Sequence, residues 1–535
     1  MDDDDAPKRR TPMTQRPNFL FIITDQQRAD HLGAYGNREV RTPHLDGLAA
    51  RAWVADRYFV ATPICMPNRA SLLTGRMPSV HGVRSNGIPL SRRATTFVDV
   101  LREAGYRTAL VGKSHLQNMT GKPALWPAPH ERPARQAWPP EPGTYDDEWA
   151  PRWRDDPAAE VRLPFYGFEA VDLVIDHGDT AGGHYRRWLE REHPDVAAVT
   201  GPDPALASDY ALVQARQAWR TRVPEALSTT SWIAERTMAR LRTAAGSAQP
   251  FFIQCSFPDP HHPFTPPGRF WDMYDPASVA LPASFHYRGE RPPHVAWLHA
   301  QRDAGKAVKH TPAVFACTER EAREAIALNY GSISHIDDAI GRILASLQAL
   351  GLAENTVVVF TSDHGDYFGE HQLLWKGPLH YDSVVRVPFL WADPAAPAGR
   401  SDTLCSALDL APTILQRASV EPFFGIQGRS LLPHVRRDGD APRRDAVLIE
   451  EEGQRVMFGL PGRVRMRTLR TADWRLSLYD GVDWGELYDL RADPHECVNR
   501  WDDPACVPMR AELALRLARE QLALTETSPY ASALA

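Results

Sequence analysis

Short runs of apolar residues alternate with longer helical stretches along most of the chain. Buried strands are predicted where apolar residues are continuous, at residues 19–23, 108–111, 251–255 and 356–360. A weaker strand is predicted at 387–390, because its proline favours an edge or a strand start. Apolar positions three and four residues apart predict a long helix over 321–350, and shorter helices are predicted at 97–104 and 231–241. This alternation predicts an α/β fold.

The pattern changes after residue 433. Short strands are predicted at 446–450, 464–469 and 474–478, followed by a helix near 509–522. A chain of 535 residues is long enough for a large core and a smaller second unit. We therefore expect a large domain over 18–433 and a small α+β domain with an antiparallel sheet over 434–535.

Two segments interrupt the α/β rhythm. Residues 121–160 are crowded with Pro, Trp and Arg, and residues 280–312 are polar and contain prolines. Both are predicted to be surface insertions that frame a cleft. Tryptophans of the first insertion could line an aryl or sugar pocket, although packing at the surface is the simpler interpretation; they are Trp126, Trp138, Trp149 and Trp153.

Composition and charge exclude several partners. The chain has 61 basic and 67 acidic residues without a basic stripe, so no nucleic acid is expected. It has no apolar stretch of the length, about eighteen residues, that a membrane span needs. Six sparse cysteines fit a reducing compartment better than a disulfide framework. Residues 1–17 are acidic, then basic, without the apolar core of a signal peptide, so a disordered leader and a cytoplasmic location are expected.

Titratable and amide side chains follow four of the predicted strands. In an open α/β sheet, ligands bind beyond the carboxyl ends of the strands. The groups at these ends are Asp25 with Gln26, Lys113 with His115, His261 with His262, and Asp363 with His364. Four strands that end in such groups predict one shared site.

Some of these side chains suit a hard divalent cation. Carboxylate oxygens combined with an amide or an imidazole are suitable ligands, and Asp25, Gln26, Asp363 and His364 supply them. Taken singly, Asp25 could be only a helix N-cap, and Asp363 with His364 only a turn. A lone Lys or Arg is usually a surface charge, and a lone His is often a core residue.

The densest pattern in the chain is CMPNRASLLTGR, residues 65–76. By itself Cys65 could be a small buried apolar residue. Ser71 occupies the position where a thiolate-nucleophile phosphatase would place its arginine. The next cysteine, Cys255, is too distant in sequence for a zinc knuckle.

This segment resembles the signature of the sulfatases, whose cysteine is oxidised after synthesis to formylglycine. The resemblance covers about residues 18–500 and includes segments 42–46, 406–415 and 487–496. It implies an alkaline-phosphatase-like fold, with a large mixed sheet between helices and a smaller C-terminal antiparallel sheet. It also implies hydrolysis of aryl or alkyl sulfate esters by a formylglycine formed from Cys65.

The resemblance implies a metal site in which Asp25, Gln26, Asp363 and His364 hold one divalent cation together with an oxygen of modified Cys65. Calcium is the usual ion of the family, and magnesium or manganese are alternatives. The imidazole of His364, where many members have Asn, makes manganese a rival.

Five basic residues are implied to act in catalysis. Arg69 would pair with the formylglycine hydroxyl and orient its loop. Lys113 and His115 match the Gly-Lys-x-His segment of the family, His261 matches its Pro-His-x-Pro segment, and Lys376 matches its late lysine. Such fixed cations stabilise the charge that develops on the transferred group.

The implied reaction proceeds through the hydrated aldehyde at position 65, whose oxygen attacks sulfur. His261 and Lys376 protonate or stabilise the departing oxygen, and His115 then takes the proton of the second hydroxyl. Asn86 resembles an asparagine that contacts substrate oxygen in related enzymes.

Two alternatives remain open. Phosphonate monoester hydrolases share the Cys65 motif, Gln26, His364 and Asn86, but they tend to replace the pair at Lys113 and His115 by Tyr and Thr. A chain whose cysteine stays unoxidised would be a non-catalytic metal-binding homologue. The expected partners are a small sulfate or phosphonate ester and a formylglycine-generating enzyme. By analogy with relatives, a homo-oligomer, dimer or tetramer, is also expected.

Overall fold

The structure is a computed structural model, and it describes residues 16–126, 135–137, 141, 143–206 and 208–534. Most of the predicted leader and Trp138 lie outside the described residues. None of the helices in the described ranges is long and apolar enough to cross a membrane.

A large mixed sheet is the centre of the molecule. Its strands are β1 (Asn18–Thr24), β2 (Trp53–Phe59), β3 (Arg107–Gly112), β4 (Ala170–Ile175), β5 (Gly182–Gly183), β6 (Phe251–Ser256), β8 (Thr356–Ser362), β10 (Arg386–Val387), β11 (Phe389–Ala392) and β12 (Gly399–Ser406). Neighbouring strands β8, β1, β6, β3 and β4 run parallel, in that order. Their carboxyl ends therefore meet at one edge of the sheet.

Helices cover both faces of this sheet. The helices of the chain are α1 (Pro43–Ala49), α2 (Cys65–Thr74), α3 (Pro78–His81), α4 (Phe97–Glu103), α5 (Ala150–Asp155), α6 (His184–Glu192), α7 (Pro194–Ala197), α8 (Ala211–Gln214), α9 (Thr229–Ala245), α10 (Pro293–Asp303), α11 (Glu319–Ala349), α12 (Asp382–Val385), α13 (Leu410–Arg417), α14 (Leu432–Arg436) and α15 (Val507–Ala523). Successive strand residues point to opposite faces, so Leu20 and Ile22 of β1 pack in one core with α9 and α11. Phe19 and Phe21 pack in the other core with α2, α4 and α13.

A second, antiparallel sheet is formed by the C-terminal part of the chain. Its strands are β13 (Ala446–Val456), β14 (Arg463–Thr471), β15 (Trp474–Tyr479) and β16 (Gly485–Asp489), in that order. Helix α15 packs against this sheet through Leu513 and Leu517. A short ribbon of β7 (Phe315–Ala316) and β9 (Leu373–Leu374) completes the strands. The predicted α/β class with a smaller antiparallel sheet is confirmed. The boundary at residue 433 stays a prediction.

The structure also shows where the sequence interpretation was incomplete. The weak strand predicted at 387–390 is two short strands, because Pro388 stands between β10 and β11. The segment 280–312 is more than a surface insertion. It contains α10, whose Val295 and Leu298 lie three residues apart and are buried. In the first insertion Trp153 is buried, whereas Trp126 and Trp149 are exposed.

Candidate active site

Polar side chains follow four of the parallel strands and lie at the same edge of the large sheet. Asp25 follows β1, Lys113 follows β3, and His261 lies in the loop after β6. Asp363 and His364 follow β8. These five residues are buried, and all were predicted from their positions after strands.

Cys65 reaches this edge from outside the sheet, as the first residue of α2. The whole helix is buried, and its first turn is tied to its surroundings. Asn86 Oδ1 accepts a hydrogen bond from the backbone N–H of Met66 (3.2 Å), and Asn68 Nδ2 donates to the carbonyl of Asp363 (2.6 Å). Because a helix N-terminus carries unpaired N–H groups and a partial positive charge, residue 65 lies where an anionic group is stabilised.

The acidic centre of the site fits a divalent cation. The ligand atoms of Asp25, Cys65, Asp363 and His364 all lie within 4.8 Å of one another. His364 Nδ1 bonds the carbonyl of Gly365 (2.9 Å), which leaves Nε2 toward Cys65 Sγ, 3.1 Å away. Gln26 Oε1 is buried without a hydrogen-bond partner among the described residues, as expected of an oxygen that awaits a cation. Two carboxylates, an amide oxygen and an imidazole form a suitable donor set.

Arg69 braces this acidic centre. Its Nε donates to Asp363 Oδ2 (2.7 Å), and one terminal nitrogen donates to Ser256 Oγ (2.9 Å) and the carbonyl of Lys113 (3.1 Å). Its other terminal nitrogen lies 3.6 Å from Asp25 Oδ2. The arginine thus joins the ends of four strands and places its charge beside the predicted metal ligands.

Lys376 lies between the predicted nucleophile and a histidine. Its Nζ is 2.8 Å from Cys65 Sγ, 2.8 Å from His261 Nε2 and 3.1 Å from His364 Nε2. His261 Nδ1 bonds the carbonyl of His262, so the proton of the ring lies on Nδ1 and Nε2 accepts from Lys376. Burial lowers the pKa of His261 well below its usual range, which keeps the ring neutral. Lys376 is thus the charged donor of this pair, and the neutral His261 ring is its acceptor.

Lys113 belongs to the same cluster, and with it comes a histidine that the sequence interpretation missed. Lys113 Nζ pairs with Asp25 and lies 2.7 Å from His177 Nε2. The His177 ring stacks on His261, with 3.8 Å between ring centroids. Although burial and Lys113 oppose it, Asp176 and Asp25 raise the pKa of His177. A weak signal was present, because His177 lies two residues after the end of β4.

His115 is held differently from the other predicted residues. Its backbone is left-handed (φ 59°), and its Nδ1 is buried without a partner among the described residues. The carboxylate of Glu148, fully buried, accepts backbone N–H groups of Leu116 and Gln117 (2.7 Å each) as well as that of His115. Burial lowers the pKa of His115 well below its usual range, so the ring is neutral. Glu148 lies in an irregular insertion, and no sequence pattern pointed to it.

A cavity of about 230 Å³ adjoins the cluster. Its lining includes Lys376, Asn86 and Ile64, the residue before Cys65. Asn86 therefore lines the space beside the predicted nucleophile in addition to supporting α2. The backbone carbonyl of Asn86 accepts a hydrogen bond from the side chain of Gln454 of β13. This bond connects the small sheet to the wall of the cavity that Asn86 forms.

Comparison with known proteins agrees with this geometry. The profile of the Sulfatase family matches residues 17–155 and 210–420, and a profile described as "N-sulphoglucosamine sulphohydrolase, C-terminal" matches residues 369–523. The "Uncharacterized sulfatase YidJ" of Escherichia coli is 27% identical, over 93% of this chain and 86% of its own length. An arylsulfatase of Clostridium perfringens is also 27% identical, over 78% of each protein.

Solved structures share the fold. The crystal structure of the phosphonate monoester hydrolase of Agrobacterium radiobacter superposes with a TM-score of 0.75 at 24% identity. The superposition covers 96% of this chain and 97% of that one. With the family profile matching most of the large sheet and its helices, the chain belongs to the sulfatase family of sulfuric ester hydrolases.

Proposed function

We propose that this chain hydrolyses aryl or alkyl sulfate monoesters through a formylglycine formed from Cys65. One observation carries the proposal. Cys65 begins a buried helix and lies within 3.7 Å of an Asp25 oxygen and 2.8 Å of the Lys376 ammonium, and Arg69 and Lys113 both pair with the Asp25 carboxylate. A nucleophile surrounded by fixed cations and a helix N-terminus suits transfer of an anionic group.

Asp25, Gln26, Asp363 and His364 are proposed to hold one divalent cation, calcium first, with manganese and magnesium as alternatives. Such an ion supplies a fixed positive charge that polarises an oxygen of residue 65 or of the substrate. Arg69 pairs with both Asp25 and Asp363 in this buried space, which holds the two carboxylates in position as ligands.

The remaining residues have separable roles in moving protons. Lys376 contacts both residue 65 and His261. A departing alkoxide or phenoxide beside Lys376 would therefore receive a proton from Lys376 or His261. His115, neutral and unpartnered at Nδ1, would accept the proton of the second hydroxyl at residue 65 when the transferred group leaves. That second hydroxyl exists only in a hydrated aldehyde, and neither Ser nor Cys has one.

Hydrolysis of phosphonate monoesters or phosphodiesters is the second candidate. Gln26 and His364, and the similar fold of a phosphonate monoester hydrolase, favour it. The intact pair of Lys113 and His115 favours sulfate, because the phosphonate enzymes tend to carry Tyr and Thr there. Both reactions place negative charge on similar oxygens, so some activity on the second substrate class is expected.

The test compares kcat/KM on 4-nitrophenyl sulfate and on 4-nitrophenyl phenylphosphonate. The protein is co-expressed with a formylglycine-generating enzyme, and each of calcium and manganese is supplied. Peptide mass spectrometry across Cys65 first shows that the aldehyde is present. We expect the sulfate to be the better substrate, and a clear preference for the phosphonate would move the chain to the second candidate.

Two further outcomes bear on the proposal. Protein that carries the aldehyde and the metal but hydrolyses neither ester would contradict it. An unmodified thiol in protein from the native host would support the non-catalytic alternative. A cytoplasmic location and a dimeric or tetrameric assembly are part of the proposal and rest on analogy and composition.

A further inference from the structure

The cavity beside Lys376 is where the leaving alcohol of a sulfate ester has room. It shares Lys376, Asn86 and Ile64 with the surroundings of Cys65, so a sulfur atom near residue 65 would direct its ester oxygen and alcohol into this space. The other walls are largely apolar and come from distant parts of the chain: Leu125, Pro312, Val314, Pro378, Met457 and Val464. The volume of about 230 Å³ suits a small alcohol.

Strand β13 supplies one wall, and it carries three consecutive glutamates. The backbone N–H of Glu450 donates to the carbonyl of Ala61 (2.8 Å), which fixes the strand against the loop that leads into Cys65. Glu450 accepts hydrogen bonds from the backbone and hydroxyl of Ser79 (2.9 and 2.8 Å). Glu452 pairs with Arg463 (3.1 Å). Two of the three carboxylates are thus compensated by the protein.

Glu451 is the third, and it lines the cavity without such compensation. Its side chain is almost fully buried, with 2% of the residue exposed, and its Oε2 has no hydrogen-bond partner among the described residues. The buried hydroxyl of Thr62 is a neutral hydrogen-bond donor beside this carboxyl. Arg467, the nearby cation, donates to Glu452 (3.3 Å) and to the backbone carbonyl of Glu451 (3.5 Å) instead.

A carboxyl buried beside a neutral hydroxyl, without an ion pair among the described residues, is destabilising, because it has regained less than it lost on leaving water. Burial accordingly raises the pKa of Glu451 to about 8. A ligand that brings an N–H or O–H donor into the cavity would supply the missing hydrogen bond. A quaternary ammonium would not, since it has no N–H, and the described residues of the lining include no aromatic ring to hold it.

We propose that Glu451 determines the specificity of this enzyme for its leaving alcohol, and that the substrate is the sulfate ester of a small, mainly apolar alcohol with a primary amine or hydroxyl group remote from the sulfate. This inference rests on the proposed function, whose site it extends. The amine and the hydroxyl share the same chemistry, which is donation of a hydrogen bond to the Glu451 carboxyl.

The test uses three sulfate esters of similar size on the matured, metal-loaded protein. They are 4-(aminomethyl)phenyl sulfate, 4-(hydroxymethyl)phenyl sulfate and 4-ethylphenyl sulfate, the last without a donor. We expect kcat/KM to be about ten-fold or more higher for at least one donor ester than for the ethyl ester, because a site built to hydrogen-bond a group rejects the analogue that lacks it. Equal or better turnover of the ethyl ester would overturn the inference.

Variants then test whether the preference for donor esters depends on Glu451. Glu451→Leu should bring the ratio of donor to ethyl ester to about one, and Glu451→Gln should weaken the preference for the amine more than that for the hydroxyl. Comparing ratios cancels differences among the phenols as leaving groups. Glu450→Gln, the same change one residue away at a carboxylate bound to Ser79, is the matched control and should keep the wild-type ratio.

The outcomes distinguish failure of the Glu451 hypothesis from failure of the proposed sulfatase function. If Glu451→Leu folds, as shown by its melting temperature, and keeps the wild-type ratio, Glu451 is not the determinant. If Glu451→Leu does not fold, the Glu451→Gln variant and the wild-type preference carry the test. Failure of aldehyde-bearing protein to hydrolyse any of the three sulfates would overturn the proposed function itself.

Discussion

At the residue scale, the chemistry of position 65 depends on where its side chain lies. The residue is almost fully buried at the start of α2, within hydrogen-bond distance of Lys376 and His364. Burial, with Asp25, raises the pKa of the Cys65 thiol. The fixed cations nearby are arranged around a group that will carry negative charge.

Replacement of Cys65 by Ala is therefore expected to abolish turnover while the fold survives, since Ala keeps the helix start and removes only the reacting group. The measurement is kcat on 4-nitrophenyl sulfate, with melting temperature as the control for folding. The metal affinity should largely survive, because Asp25, Asp363 and His364 remain. Activity above a trace in this variant would contradict the nucleophile assignment.

At the element scale, the loops after the strands position the side chains of the site. The loop after β3 turns sharply at His115, and the backbone N–H groups of three successive residues bind the single carboxylate of Glu148. The carboxylate oxygens accept all three hydrogen bonds. The loop thus owes its shape to a residue of the insertion, which sequence analysis placed at the surface.

Glu148→Gln tests this positioning role. The amide keeps one acceptor oxygen and turns an NH₂ group toward N–H donors, so the loop should loosen and His115 should lose its orientation. We expect kcat to fall about ten-fold or more, with a smaller change in KM, because the proposed role of His115 is in the chemistry after binding.

The control for this change lies at the opposite edge of the sheet. The buried Asp393 side chain pairs with Arg417, with 2.5 Å between Asp393 Oδ2 and Arg417 Nε. Asp393→Asn removes one charge, as Glu148→Gln does. This variant should lose stability without a selective fall in kcat. A Glu148→Gln enzyme with normal kcat would show that the loop holds its shape without the carboxylate.

At the scale of the whole molecule, the small sheet completes the site and is bound to the large domain by buried charges. Arg475 of β15 is fully buried, pairs with Glu486 (3.2 Å) and Glu496, and lies over the rings of Tyr381 and Tyr488. Glu496 in turn accepts the backbone N–H of residue 382 at the start of α12 (2.8 Å). The network joins the small sheet to the segment that follows Lys376.

Arg475→Met should destabilise the protein by about 3–5 kcal/mol, because it leaves Glu486 buried without its partner. The measurement is the free energy of unfolding or the melting temperature of the metal-loaded protein. Arg491→Met is the matched control, since Arg491 is exposed and its bond to Asp473 should contribute about 1 kcal/mol or less. Equal stability of the two variants would mean that the buried network contributes nothing to the docking of the sheet.

The sequence alone predicted the fold class and several site residues, because both depend on local patterns of apolar and polar residues. Apolar runs in strands and the periodicity of α11 predicted the α/β class, and the strand-end positions of Asp25, Lys113, His261 and Asp363 predicted which side chains would gather. Parallel strands force this outcome, because all their carboxyl ends lie at one edge. The twelve-residue segment at Cys65 identified the family that the comparisons later showed.

Tertiary structure decided what depends on contacts between distant segments. His177 enters the site because β4 lies beside β3, and the signal in the sequence was weak because Asp172 interrupts the apolar residues of β4. Glu148 and Glu451 are ordinary surface-type residues by sequence, and only packing buries them, one bound to three N–H groups and the other without an ion pair among the described residues. Burial is a property of the assembled fold, since the cost of removing a carboxylate from water depends on every segment that covers it.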